Sequence, residues 1–456
     1  MSDHGRLRIE IENFGPIASG SFELRPLTLF IGPNNTGKSY AATLAHSIVR
    51  TVPNMMVLDK RKISLPIQEM LFQFLSEYLE EEMLDRLYVY FNCKNLRDLI
   101  SRFASEEKAH VYVYSRDSEN WWASLKGNGS RWSVEVNASG LAKIELQYEE
   151  KTELQYEEEG VLTGIQLLIV QFPVAEAIGL PNFSYYLPAA RSGVLQGWRA
   201  LTAEAVRRVS RWAGIEESRV PALPGLIGEF LEELIHASEG LRRRSRVGEG
   251  ASPFQSALEV LEEDLLKGAV DFSYPDGVPV PEIVYRTRAK RKKLEIPIQR
   301  ASSTVGELAP LVLWIKYLLR PGGMLVIEEP EAHLHPENQR RVARALVRLV
   351  RAGVTVLCTT HSPLILHQVS NHILASRADP ARWKELGFTE EDLLREEEVG
   401  AYLFRMREDG RGSEIQPLRI ELGFGFPEDE FARVFEEIGA ETYRLTGPLT
   451  VELGEG

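Results

Sequence analysis

The stretch LFIGPNNTGKSY, from Leu29 to Tyr40, decides the fold. An apolar run feeds two glycines, and Lys38 and Ser39 close the pattern G-x-x-x-x-G-K-S. Glycine lets the backbone curl until several N–H groups face one anion. A helix starting near Lys38 adds the positive end of its dipole. In this register Lys38 reaches the β- and γ-phosphates of a nucleoside triphosphate, and Ser39 ligates Mg²⁺. Gly32, Pro33, Asn34, Asn35, Thr36, Gly37, Lys38, Ser39 and Tyr40 are therefore the candidate nucleotide-binding residues. The plainer alternative is an ordinary glycine turn, which the strand before and the helix after argue against.

The 456 residues suggest two or three lobes rather than one unit. Apolar content of 44% and charged content of 26% fit a soluble globular chain with ample core. No apolar run approaches the ~20 residues that span a bilayer. The start, MSDHGRLRIE, has no apolar signal region. A cytoplasmic protein that does not engage a membrane is expected. Cys93 and Cys358 are the only cysteines, too few for a disulfide framework and without C-x-x-C spacing. Cys358 lies in the apolar run VTVLCTT and reads as a small buried thiol. A net charge of −13 confines any nucleic-acid contact to a local patch. One basic stretch exists, YRTRAKRKKLEIPIQR, and Arg286–Lys293 within it is either a phosphate-backbone contact or a solvated hairpin turn.

Alternation over LRIEIENF and SFELRPLTLF predicts strands leading into the phosphate loop. Apolar residues at spacings of three and four in PIQEMLFQFLSEYLEEEMLDRLYVYF predict helix. From Ala109 to about Tyr156 the pattern turns strand-like, and ELQYEE occurs twice at a period too short for a solenoid. A strand is expected near Gly164–Phe172, helix over Arg199–Arg244 and Pro253–Lys267, and strands over Val270–Ile298. ASSTVGELAPLVLWIKYLLR opens a helix with Ser302, Ser303 and Thr304 as cap candidates, and Glu307 stands at capping-box spacing from Thr304. MLVIEE and VTVLCTT read as buried strands flanking an amphipathic helix, which argues for a parallel sheet. After Arg377 the sequence shows two strands and a short helix.

Three further motifs carry chemistry. In MLVIEEPEAHLHP, Glu328 and Glu329 end a strand and point to opposite faces. One carboxylate can hold a Mg²⁺ shell while the other orients water, at the strand-end crevice where such sheets bind ligands. LCTTHSP ends a neighbouring strand with His361, which either donates to a γ-phosphate or caps a helix. SSTVGE offers hydroxyls and amides at a helix start. It cannot easily share one γ-phosphate with the Gly32 loop, so a second molecule's nucleotide is its natural target. His333 and His335 form H-x-H, but no third ligand follows at metal-site spacing.

The ordered set GPNNTGKS, SSTVGE, LVIEEPEAHLHP and TTHSP resembles the ABC-type ATPase superfamily, and more closely its soluble SMC-like members of the overcoming-lysogenization-defect (OLD) group. IENFGPI, YYLPAARSG and EEPEAHLHP add to that resemblance. The resemblance implies an α/β ABC-type P-loop ATPase core with a mixed or parallel sheet and an inserted helical and β middle region. It implies ATP and Mg²⁺ as cofactors and a homodimer, or a higher homo-oligomer, across the nucleotide sites. Carried over by position, Gly32–Ser39 is the Walker A loop, and Ser303 is the signature contact with Ser302 or Thr304 beside it. Glu328 is then the Walker B metal acid with Ser39, Glu329 the catalytic base, His361 the switch histidine, and Ala332–Pro336 the dimer-seam loop. The segments implied are 1–50 and 299–376 for the core, 51–298 for the insert, and 377–456 for a small C-terminal α+β extension. The signature lacks the LSGGQ form, and Glu328 replaces the commoner Asp. Gln166, Gln171 and Gln196 are unconvincing as a Q-loop, and Arg191 is either a phosphate or partner contact or a structural ion pair.

The implied function is an ATP-driven dimerisation switch controlling a separate effector protein, in antiphage defence or DNA-linked processes. A slow-hydrolysing scaffold holding a toxin or nuclease is the alternative, with a DNA-repair ATPase behind it. The long separation of Lys38 from Ser302 argues against a transporter subunit, and the lack of sustained heptads against a long coiled-coil machine. The segment after His361 has no strand–acid pattern of a Toprim nuclease, so no intrinsic nuclease is expected.

Overall fold

The computed structural model describes residues 7–51, 55–59, 83–84, 86–87, 89–91, 99–100, 108–114, 121–128, 131–136, 147–150, 167–171, 181–198, 225–247, 252–274, 281–288, 294–419 and 429–446. Cys93, Gln166, the second ELQYEE copy, Ala289–Lys293, and most of the helices expected between 66 and 91 and between 199 and 224 lie outside them. In chain order the strands and helices begin with β1 (Leu7–Phe14), β2 (Ile17–Leu24), β3 (Leu27–Ile31) and α1 (Lys38–Thr51). The middle of the chain adds β4 (Met55–Asp59), β5 (Lys108–Tyr114), β6 (Trp121–Asn128), β7 (Arg131–Val136), β8 (Gln147–Glu150), β9 (Leu167–Gln171) and β10 (Ser184–Leu187). Next come α2 (Gly225–Val247), α3 (Gln255–Leu258, continued by a π-helical turn over Glu259–Leu265), β11 (Gly268–Ser273), β12 (Glu282–Thr287) and β13 (Glu295–Pro297). The rest comprises α4 (Ser303–Tyr317), β14 (Met324–Glu328), α5 (Pro336–Arg351), β15 (Thr355–Thr360), α6 (Pro363–Arg377), α7 (Pro380–Glu385), β16 (Val399–Met406), β17 (Ser413–Leu418) and α8 (Asp429–Thr446).

Eleven strands form one sheet in the order β10-β14-β15-β3-β16-β17-β2-β1-β5-β6-β7. From β10 to β16 every neighbour is parallel. From β2 to β7 every neighbour is antiparallel. The sheet is therefore mixed, as expected for this α/β class. Smaller sheets, β11-β12-β13 and β4-β9-β8, stand apart from it.

Parallel strands need crossovers, and crossover helices cover both faces, so such strands become apolar throughout. β3 and β14 are buried at every residue. Their alternate side chains feed two cores. Leu29, Ile31, Leu325, Ile327, Val356 and Cys358 join α4, α5 and α6 in one core. Phe30, Met324, Val326 and Leu357 meet Ala41, Ala42, Leu44 and Ala45 of α1 in the other. The small residues of α1 let that helix lie close on the sheet, which fixes where its N-terminus, and so the phosphate loop, points.

β16 lies between β3 and β17, so the C-terminal segment supplies central strands of the large sheet. From the middle of the chain, β10 and β5–β7 join its two edges. α2 packs between α1 and α4. Phe230 stacks on Trp314 at 5.1 Å, and the Trp314 indole donates to Glu233 at 3.1 Å. Glu229, one turn earlier, accepts from His46 of α1 at 3.2 Å and pairs with Arg50 at 2.9 Å.

Candidate functional site

Because β10, β14, β15 and β3 run parallel, their C-terminal ends share one edge of the sheet. That edge gathers the chain after Leu187, Glu328, Thr360 and Ile31, the place where open α/β sheets bind ligands.

The loop after β3 has a backbone that its glycines permit. Gly32 has φ +136°, and a Cβ there would stand 2.2 Å from the Phe404 carbonyl oxygen. Gly37 has φ +93°, with Ile17 Cγ1 2.6 Å from its missing Cβ. Asn35 takes φ +63°, a region asparagine tolerates. Thr36 Oγ1 donates to the Pro33 carbonyl at 2.8 Å. Ser413, at the start of β17, donates its hydroxyl to the Thr36 carbonyl at 2.6 Å and its N–H to Pro16 at 2.8 Å. The loop is thus braced from behind by two distant segments. Lys38 is buried, and its ammonium donates to the carbonyls of Gly32 at 2.9 Å and Pro33 at 2.6 Å. Burial brings its pKa down to about 8, against the opposing pull of Glu329, Glu331 and Glu328. Ser39 is exposed in the first turn of α1. The Tyr40 ring packs on Phe14 and Phe91 and lies where a Cβ on Gly15 would fall, so it braces the β1–β2 hairpin.

The two acids ending β14 differ sharply. Glu328 is 8% exposed, and its Oε2 accepts from the Ala189 N–H at 3.0 Å. The Tyr186 hydroxyl lies 3.3 Å from Thr43 Oγ1 of α1, and the Glu328 charge, after burial, pushes the phenol pKa up. Glu329 has φ +44°, which costs a non-glycine residue about 1–3 kcal/mol. Its side chain is 42% exposed, with Oε1 3.8 Å from His361 Nε2. Burial, then Lys38, push the His361 pKa down. Lys38, Glu329 and His361 are thus brought together with the loop.

Two residues at this edge gain roles that the sequence left unassigned or open. Glu331 accepts from Thr360 Oγ1 and from the His361 N–H, each at 2.7 Å, and so fixes the turn that presents His361. Its Oε2 is buried with no hydrogen-bond partner among the described residues, and burial raises its pKa. The one sequence signal was the third acid in EEPE. Arg191 is fully buried and hydrogen-bonds to the carbonyls of both Glu328 and Glu329 while pairing with Glu307. Of its two readings, the structural ion pair is the one realised.

Ser302 caps α4, accepting from the Val305 N–H at 3.4 Å, and Ser302 and Ser303 are exposed. The expected capping box does not form. Glu307 turns inward to Arg191 and to the Ser192 hydroxyl, 2.5 Å away, because a buried guanidinium outbids a helix-end amide for the carboxylate. His333 has φ +57° and an exposed ring, while His335 Nδ1 caps α5 through the Glu337 N–H at 3.4 Å. Among the described residues no cluster of His, Cys, Asp and Glu could hold a metal ion unaided. Gln196 is exposed on the helical stretch 191–198, and Gln171 lies in β9, a strand of a smaller sheet. In the basic stretch, Arg286 pairs with Glu295 at 3.0 Å and Asp271 at 3.5 Å, and Arg288 with Glu263 at 2.8 Å. Cys358 is buried, and burial raises its pKa. No described helix is long and apolar enough to cross a membrane.

The family model described as "AAA domain, putative AbiEii toxin, Type IV TA system" matches residues 194–367, a span that begins after the phosphate loop and includes Glu328, Glu329 and His361. No curated protein matches the sequence. Among solved structures, an Smc head bound to the C-winged helix domain of ScpA is similar at 14% identity and TM-score 0.44, covering 91% of this chain and 98% of that one. An Smc head domain with an extended coiled coil, bound to the C-terminal domain of ScpA derived from Pyrococcus furiosus, is similar at 12% identity and TM-score 0.40, with coverages of 95% and 100%. The SMC head domain from Thermotoga maritima follows at 11% identity and TM-score 0.39, with coverages of 91% and 99%.

Proposed function

We propose that this chain is an ATP-binding and ATP-hydrolysing enzyme of the SMC-like ABC type that works as a nucleotide-driven dimerisation switch. One observation carries the reading: four parallel strand ends bring a braced G-x-x-x-x-G-K-S loop, a buried acid, an exposed acid and a histidine to one edge. The loop amides and Lys38 bind and orient the triphosphate. Glu329, exposed and 3.8 Å from His361, takes a proton from the attacking water, and the neutral imidazole donates to the γ-phosphate as charge develops there. The exposed Ser39 hydroxyl and the Glu328 carboxylate are hard oxygen donors at that edge, which fits Mg²⁺. When bound there, Mg²⁺ neutralises charge on the β- and γ-phosphates.

The exposed Ser302–Ser303 tip of α4 completes the site in the second copy, with Ser303 against that copy's nucleotide. Residues 1–50 and 299–376 form most of the ATPase core, and 51–298 carries the surface that engages a separate effector. The motif order supports a stand-alone relative of the OLD group, acting in antiphage defence or DNA-linked processes. A nucleic-acid contact through Arg286–Lys293 would rest on Lys290–Lys293, since Arg286 and Arg288 already have acid partners. The test is steady-state ATP turnover of the wild type against Glu329→Gln. A loss of about 10²–10⁴-fold with nucleotide binding retained supports the switch. A negligible wild-type rate with persistent nucleotide-bound dimers marks the slow scaffold instead.

A further inference from the structure

We propose that Arg191 is the positioning residue of Glu329, and that through Glu307 it makes the tip of α4 and the candidate base move as one piece. The inference rests on the function proposed above and assigns a means of control within that site.

A guanidinium has five N–H donors. In Arg191, Nε donates to the Glu307 carbonyl at 3.1 Å. Nη1 donates to the carbonyls of Pro188 at 3.2 Å and Glu328 at 2.5 Å. Nη2 donates to the Glu329 carbonyl at 3.0 Å and lies 3.3 Å from Glu307 Oε2. Four donors are hydrogen-bonded to carbonyls, and the remaining one faces Glu307 Oε2 in an ion pair without a hydrogen bond, so the guanidinium is already committed within the protein. The side chain is fully buried, where each lost bond leaves an unsatisfied group.

Successive residues in a strand face opposite ways. For the carbonyls of Glu328 and Glu329 to converge on one guanidinium, the chain must turn at the second residue. That turn is the φ of +44° at Glu329. The same turn throws the Glu329 side chain out of the sheet toward His361. Arg191 therefore holds the unfavourable backbone that aims the base. At its other end it grips Glu307, which lies on α4 just behind the exposed Ser302–Ser303 tip and is also held by the Ser192 hydroxyl. Nη2 is shared between Glu307 and the Glu329 carbonyl. A shift of α4 when its tip engages a second molecule is thus passed to Glu329 through a single rigid, planar group.

The experiment compares wild type, Arg191→Lys and Glu307→Gln in the full chain. Lysine keeps the charge but lacks the fork. Readouts are the Kd of a fluorescent ATP analogue, kcat, and the identity of the nucleotide retained after incubation with ATP and Mg²⁺. A positioning role predicts Kd within about threefold of wild type, kcat down at least about thirtyfold, and retained ATP rather than ADP, the behaviour expected of Glu329→Gln. A merely structural role would weaken binding and turnover together. Should Arg191→Lys fail to fold, Glu307→Gln decides: Kd within about threefold of wild type, kcat down at least about fivefold and retained ATP support the proposal. Retention of more than a third of kcat, or parallel loss of affinity and turnover, overturns the proposal while leaving the ATPase reading intact. A wild type that neither binds nor hydrolyses ATP overturns that reading and this inference with it.

Discussion

Raising the pH from 7 to 9 should weaken nucleotide binding about tenfold, because Lys38 loses its proton in the free protein. Its ammonium is buried and its pKa has fallen to about 8. A triphosphate in the loop places negative charge beside it and favours the charged form, so binding takes up a proton. The sign follows: below pH 8 the free lysine is mostly charged and affinity is full, and above it affinity falls with the charged fraction. That fraction drops from about nine-tenths at pH 7 to about one-tenth at pH 9, which sets the tenfold change. The assay is titration calorimetry with a slowly hydrolysed ATP analogue in two buffers of different ionisation enthalpy. About half a proton should be taken up per nucleotide at pH 8. Lys38→Met should bind more weakly and lose this pH dependence. A flat wild-type Kd across the range, or an unchanged slope in Lys38→Met, would remove Lys38 as the titrating group.

Two further outcomes follow from particular contacts. Gly32→Ala should abolish nucleotide binding in equilibrium titrations, because its Cβ would meet the Phe404 carbonyl oxygen of a central strand 2.2 Å away; tight binding by that variant would show the loop free to move from β16. Acid should destabilise the fold well before ordinary carboxylates titrate. His372 is buried and neutral, between the Asp392 carbonyl and the Gln368 amide, with its pKa down to about 4 from 6.5. A depressed folded pKa gives stability that is complete above 6.5 and lost as the pH falls toward 4, about 3 kcal/mol in all. Urea unfolding between pH 7.5 and pH 4.5 checks this, and an unchanged midpoint would contradict it. The Asp392 carboxylate, held well below its ordinary pKa by Arg344 and Arg348 despite its burial, adds to the loss only under more acid conditions.

What the sequence disclosed and what it hid divide by range. The glycines at 32 and 37, the paired acids ending an apolar strand, and His361 after the next strand were legible because each signal lies within a few residues. That β14 and β15 lie in a parallel sheet was legible from their continuous apolar character, while the order β14-β15-β3 was not. Long-range partners were not. Nothing in SGVLQ or SEIQP announces that Ser192 bonds Glu307 or that Ser413 braces Thr36. Glu307 had two possible uses, and the local one, a capping box, lost to Arg191 more than a hundred residues earlier in the sequence. The placement of β16 beside β3 depends on pairing across most of the chain, which alternation alone does not specify.

In the proposed switch, two copies clasp nucleotide between the Gly32–Ser39 loop of one and the Ser302–Ser303 tip of the other. Sedimentation of Glu329→Gln with ATP and Mg²⁺ tests it most directly, since blocked hydrolysis should trap the closed pair. The expected result is a species of about twice the 51.5 kDa chain mass with ATP, and the single chain with ADP or without nucleotide. A mass that stays at one chain while ATP is demonstrably bound would contradict it.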